Sequence, residues 1–258
     1  MSAPVINRRL AAGLLASAGA AALTGCDKLS ENTRVQKVIG SAEQLTIASQ
    51  RLLLTPGQFA PEYKESDISP WFKPNGSTDP DDEDYVNHVQ AGFKDWKLEI
   101  GGLVEHPMSL SLDDIKARPS RTQITRHDCV EGWSCIGKWT GMMLGPLLKE
   151  AKVKPEAKFI MFHCADSLGD ADDGSDDYYE SISMVDAYHP QTLLAYALNG
   201  QPLTVAHGAP LRLRAERYLG YKQAKYVMKV EAIDSYARIH GGHGGYWEDR
   251  GYDWYGGI

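Results

Sequence analysis

The run Arg126-His127-Asp128-Cys129-Val130-Glu131-Gly132-Trp133-Ser134 sets one cysteine among a histidine, carboxylates, an arginine and a tryptophan. A thiolate beside a cation can bind a soft or borderline metal or attack an electrophile. A small buried thiol with no reactivity is the plain alternative. A second group lies downstream. His207-Gly208-Ala209-Pro210-Leu211-Arg212 and Gly220-Tyr221-Lys222-Gln223-Ala224-Lys225 place an imidazole, a guanidinium and lysines beside glycine turns. Cations next to a turn that lets the backbone approach suit a phosphate. Without that role, Arg212 and Lys225 would face solvent on a strand edge. Neither segment has the spacing of a Walker or Rossmann loop.

These residues need elements to hold them. Thr122-Gln123-Ile124-Thr125 alternates with β-branched residues and predicts a short strand, and Gly132 with Ser134 predicts a turn. Cys129 then stands at a strand end. His127, two positions earlier, projects to the same face, as a donor behind a metal or as an ordinary surface histidine. Further strands are predicted at Trp96–Ile100, Phe159–Phe162 (leading into His163-Cys164), Tyr178–Ser183 and Tyr226–Ile233. Leu144–Ala151 predicts a helix, and Thr192–Leu198 a helical turn with Asn199-Gly200 as its exit. Pro61 to Pro80 reads as a long binding loop, and Asp81-Asp82-Glu83-Asp84 as a solvated continuation of it. Strands and helices mix without a βαβ rhythm, so the fold class is α+β.

Three cysteines follow Cys26: Cys129, Cys135 and Cys164. The absence of C-x-x-C and H-E-x-x-H argues against a structural zinc site. A Cys129–Cys135 disulfide would remove Cys129 as a ligand. A copper or zinc site built from His127, Cys129, His163 and Cys164 is a further possibility. The 258-residue chain carries a net charge of −7, which argues against sequence-independent nucleic-acid binding.

The front of the chain reads as an address. Asn7-Arg8-Arg9, an apolar run from Leu10 to Leu23 and a small-residue site match a signal peptide, and the arginine pair suggests twin-arginine export. Leu23-Thr24-Gly25-Cys26 resembles a lipobox, which would leave a lipid on Cys26 and the protein in the periplasm at the inner membrane. The expected organisation is a leader over 1–25, a tether and N-terminal helix over 26–60, and one domain over 61–258. Ser41-Ala42-Glu43-Gln44 is a capping box for that helix, whose face holds Leu45, Ala48 and Leu52.

Cys129-Val130-Glu131-Gly132-Trp133-Ser134, His207-Gly208-Ala209-Pro210-Leu211-Arg212, Gly220-Tyr221-Lys222, His189-Pro190 and Leu193-Leu194-Ala195-Tyr196 resemble the sulfite oxidase superfamily of molybdopterin enzymes. So does the tract Gly244 to Tyr252. The resemblance implies a sulfite-oxidase-type fold with mixed sheets and short helices, and a molybdenum–molybdopterin cofactor. Cys129 would be the single protein ligand to the metal. Cys164, His207, Arg212, Gln223, Ala224 and Lys225 would line the pterin, with Arg212 and Lys225 on its phosphate. Around Cys129 the pattern is nearest that of the periplasmic protein-methionine-sulfoxide reductase catalytic subunits. His207 and Cys164 depart from that branch, and Ser69, Phe72 and Lys73 fall near its upstream pterin contacts without matching them.

The activity implied is oxygen-atom or two-electron transfer at a small oxo or S-oxide substrate. The chain has no C-x-x-C-H haem motif, so electrons would pass to or from a separate cytochrome or membrane haem protein. The acidic runs suit docking to a basic partner. A non-catalytic lipoprotein using the fold to bind a ligand is the competing reading.

Overall fold

The computed structural model describes residues 45–49, 57–169 and 176–258. The chain divides into two units, Met1–Leu53 and Leu54–Ile258. In the first, residues 45–49 are helical; the leader, the lipobox, the capping box and Leu52 lie outside the described residues. No helix among the described residues is long and apolar enough to cross a membrane.

The second unit is built on two sheets. The first runs in the order β2 (Met108–Ser111), β1 (Lys97–Gly102), β10 (Val227–Ile233), β5 (Phe159–Ser167), β6 (Asp177–Ser183). Only β1 and β10 in it pair in parallel. The second runs β3 (Ser120–Asp128), β4 (Ser134–Met143), β7 (Leu193–Leu198), β8 (Gln201–Pro202), with β9 (Arg212–Arg214) also on β7. The short helices are α1 (Glu83–Gln90), α2 (Leu112–Lys116), α3 (Leu144–Glu150) and α4 (Met184–Ala187). Mixed sheets with segregated short helices fit the expected α+β class. The main core joins side chains of both sheets, among them Leu98, Ile160, Phe162, Val230, Leu194 and Leu213.

Three local expectations are corrected. Leu193–Leu198 is a strand, not a helical turn. Asn199 and Gly200 both take positive φ (53° and 80°), the geometry of the tight turn that joins β7 to β8. The acidic run is not a bare loop, because the Asp82 side chain accepts from the Tyr85 N–H at 2.7 Å and caps α1. That helix buries Tyr85 completely. Finally, Arg212 and Lys225 do not face solvent on a strand edge: Arg212 is fully buried on β9 and Lys225 is 4 % exposed.

Candidate functional site

β3 and β4 form a hairpin whose last pairs are His127 with Cys135 and Asp128 with Ser134. The loop between them is closed by the Cys129 N–H on Trp133 O (2.9 Å) and the Gly132 N–H on Cys129 O (3.0 Å). Gly132 holds φ +84°, a conformation that a side chain disfavours. Cys129 is therefore the first residue of a tight loop at a sheet end. Burial raises its thiol pKa, while the backbone N–H groups of Glu131 and Val130 hydrogen-bond the sulfur and work in the opposite direction. Cys129, Cys135 and Cys164 are all free thiols, so the Cys129–Cys135 disulfide does not form.

Cys129 opens onto a cleft shared with Asn75 and Ser77 of the long loop, Asp166 at the end of β5, and Gln223 and Lys225 ahead of β10. The loop from Pro61 to Pro80 thus supplies part of the cleft wall through Asn75, Gly76 and Ser77. Two of the expected cofactor residues, Gln223 and Lys225, share the cleft with Cys129. Cys164 and Ala224 are buried. His207 and Arg212 adjoin the others: Arg212 donates to His207 O at 3.1 Å and, more weakly, to Gln223 O at 3.5 Å. His207 Nε2 bonds Phe72 O at 2.9 Å. The Gln223 side chain is occupied, donating to Ala215 O and Tyr218 O and accepting from the Ala215 N–H, each at 3.0 Å.

Of the two readings of His127, the surface one is ruled out, since the residue is 1 % exposed. Its Nδ1 lies 3.0 Å from Arg214 Nη1. A guanidinium only donates, so Nδ1 accepts and the ring proton sits on Nε2. Nε2 has no hydrogen-bond partner and packs on the backbone of Gly220, a cleft residue. Burial first, then Arg214, Arg212 and Lys225, keep the imidazole neutral. Behind it, Arg214 pairs with Glu216 at 2.5 Å, both side chains fully enclosed, and Glu216 accepts from Gln123 at 2.8 Å. His163 pairs instead with Glu231 at 2.9 Å on the first sheet. Among the described residues no group of three or more His, Cys, Asp or Glu side chains is arranged to hold a metal ion, so the four-residue copper or zinc site is not assembled.

The buried cations test whether a phosphorylated pterin fits. Arg212 and Lys225 form no ion pair among the described residues. Lys225 Nζ donates to the carbonyls of Ser77 and Ala206 and lies 4.9 Å from the Tyr226 ring centroid. Arg212 Nε has no partner. Burial, followed by repulsion from Arg214, pushes the Arg212 pKa down to about 9. Burial, followed by repulsion from Arg212, pushes Lys225 down to about 7. Asp166 acts on Lys225 from a distance but forms no salt bridge with it, so both enclosed cations lack a bonded anion; such cations are costly, and an anionic group beside them lowers the cost. With a backbone-cradled thiol lining the same cleft as Lys225, the residues fit a molybdenum–pterin phosphate.

Sequence reasoning missed several cleft residues. Asp166 is 4 % exposed, and its Oδ1 has no partner. Burial, opposed by Lys225, raises its pKa to about 7. Glu131 was read only as part of the cysteine motif; it accepts from Trp133 Nε1 at 2.8 Å and from Lys73 Nζ at 3.3 Å. Trp247 and Tyr252 also line the cleft.

The fold and this cleft define a class, molybdopterin-binding oxidoreductases of the sulfite oxidase type. The model of the oxidoreductase molybdopterin binding domain matches residues 85–240, and the chain belongs to that family. It is 39% identical over 239 residues to the putative protein-methionine-sulfoxide reductase subunit YedZ1 of Azospira oryzae, spanning 93% of this chain and 83% of that one. It is 36% identical over 148 residues to the protein-methionine-sulfoxide reductase catalytic subunit MsrP of Campylobacter jejuni, covering 54% of this chain and 49% of the relative. The chain thus spans about half the length of such catalytic subunits. Among solved structures, the sulfane dehydrogenase SoxCD from Paracoccus pantotrophus is similar at 26% identity and a TM-score of 0.49, over 55% of this chain and 39% of that one. The chain carries a molybdopterin-binding oxidoreductase domain of this family.

Proposed function

We propose that this protein reduces an organic S-oxide in the periplasm, drawing electrons from a separate haem protein. The observation that carries the site assignment is the shared cleft of Cys129, Gln223 and the buried Lys225, with the buried Arg212 against Gln223. The names of the relatives support the substrate class, since they are described as reductases of methionine sulfoxide in proteins.

In this reading Cys129 ligates molybdenum, a soft thiolate suiting that metal. Arg212 and Lys225 hold the pterin phosphate, and His207, Cys164, Ala224 and the main chain of Gln223 pack around the ring system. When bound, the cofactor supplies the two-electron, oxygen-atom chemistry. His127 acts as a positioning residue. Its neutral ring, fixed by Arg214, aims an Nε2–H at the Gly220 backbone that walls the cleft. Reduction of an S-oxide to thioether and water takes up two protons and two electrons. Asp166, with its pKa raised to about 7 by burial, holds a proton in the cleft near neutral pH. The twin-arginine leader and the lipobox at Cys26 support delivery of a folded, loaded protein to the inner-membrane surface. The exposed acids Asp81, Glu83 and Asp84 support docking of a basic electron partner.

The test is a turnover assay on protein loaded in a molybdenum-competent host. With reduced viologen dye, methionine sulfoxide should oxidise the dye and yield methionine. No dye oxidation with any S-oxide, together with sulfite-dependent reduction of an acceptor, would reverse the assignment.

A further inference from the structure

The segment from Gly241 to Ile258 lies beyond the end of the matched family domain at residue 240. It is nevertheless built into the site. β6 is an edge strand of the first sheet, and this segment covers it: Glu180 bridges to Gly245, and the Tyr246 N–H bonds Tyr179 O at 3.0 Å. Lys222, fully buried beside the cleft residue Tyr221, reaches Glu248 and Glu180 at 2.5 Å each. Burial and the adjacent Glu248 carboxylate push the Glu180 carboxyl well above its ordinary range. Tyr221 Oη donates to Asp253 O at 2.7 Å, and Trp254 Nε1 to Ser181 Oγ at 2.9 Å. The segment is clamped at several points, and between the clamps it presents Trp247 and Tyr252, with rings 5.5 Å apart, to the cleft that holds Cys129.

We infer that Trp247 and Tyr252 form a specificity wall that grips the organic arm of the substrate. This deepens the S-oxide reading above and rests on it. Among the described residues that line the cleft there is no exposed cation: Lys73, close by, is paired with Glu131, and Lys225 is buried. Glu131, a lining residue, has its charge matched by Lys73, and Asp166 is buried. An inorganic oxyanion would therefore find no free cation at the mouth, whereas a neutral oxide with an apolar chain needs none. Val130, 45 % exposed, and Tyr252, 41 % exposed, give the cleft an apolar rim. Aromatic rings make favourable contacts with thioether sulfur and methylene groups. The occupant is therefore a thioether S-oxide on an aliphatic chain, as in a methionine sulfoxide residue, in preference to a bare dialkyl sulfoxide.

The experiment compares kcat/KM for N-acetyl-methionine sulfoxide methylamide and for dimethyl sulfoxide in loaded wild-type protein, Tyr252→Ala and Trp247→Leu. Calorimetric titration with the inert methionine sulfone analogue runs in parallel. The peptide-to-dimethyl-sulfoxide ratio should fall roughly 5- to 10-fold in each variant, the loss of one aromatic contact. Equal losses for both substrates, or a ratio within twofold of wild type, would overturn the wall. If the wild type reduces neither S-oxide, the functional reading fails by itself and the titration decides the wall. Sulfone affinity weakened severalfold by Tyr252→Ala upholds it, and unchanged or absent binding refutes it. Tyr252 is partly exposed, so its variant keeps the test alive should Trp247→Leu fail to fold.

Discussion

Lys225→Met separates the role of the buried lysine in the empty protein from its role in the loaded one. Lys225 falls from its ordinary pKa of 10.5 to about 7, chiefly through burial and then through Arg212. Between those values the unfolded chain carries the proton and the folded chain does not, so stability rises with pH across that window. Each unit is worth about 1.4 kcal/mol, so moving the cofactor-free protein from pH 7 to pH 9 should add roughly 2 kcal/mol. For a chain of this size that is a melting-temperature rise of about 4–8 °C. Asp166, raised to about 7, is ionised in both states above that pH and adds little slope. Lys225→Met should melt higher than wild type at pH 7 and lose the rise toward pH 9. In loaded protein the phosphate keeps the lysine charged, so the wild-type rise should vanish. The variant should then retain cofactor roughly ten- to a hundredfold less tightly, the loss of one charge-assisted contact. The assay is thermal melting at both pH values for protein made with and without cofactor synthesis. A cofactor-free wild type with no rise, or a variant less stable than wild type at pH 7 in that form, would refute the unpaired-cation argument.

Other consequences are more local. Glu216→Gln leaves Arg214 enclosed beside a neutral imidazole, and should cost about 3–5 kcal/mol, a melting drop of roughly 6 °C or more; a drop under about 2 °C would mean that the pair is dispensable. Gly132→Ala has open space for a methyl group but must hold φ +84°, so its cost is conformational, about 1–2 kcal/mol. Molybdenum content should fall severalfold as the Cys129 loop shifts, and full occupancy would contradict the loop argument. Asp81→Asn with Asp84→Asn, which spares the Asp82 cap, should slow electron entry at low salt and not at high salt; equal rates at low salt would remove this face as the docking site.

The chemistry of the site was more legible than its enclosure. The Cys129 motif and the two downstream glycine turns are contiguous in sequence, and their residue types suit a thiolate metal and a phosphate. Strands with one buried and one open face, such as β1, show their alternation directly. β7 does not, because its first residues are buried on both sides and Leu-Leu-Ala reads equally as helix; the Asn199-Gly200 pair was the better signal. Arg212 and Arg214 alternate with leucine as an edge strand would, yet both are enclosed. Their partners, the Glu216 carboxylate and the proposed phosphate, are not implied by local pattern. Asp166, Trp247 and Tyr252 reach the cleft from separate parts of the chain, and only the folded sheets bring them to Cys129. The acidic run concealed a helix because capping by Asp82 and burial of Tyr85 outweigh its charge.

The most direct measurement is elemental analysis with pterin extraction on native protein and on Cys129→Ser. Equimolar molybdenum and pterin in the native chain, with molybdenum lost and the fold retained in the variant, is the expected result. Copper or zinc in place of molybdenum, or full molybdenum content without the Cys129 sulfur, would contradict it.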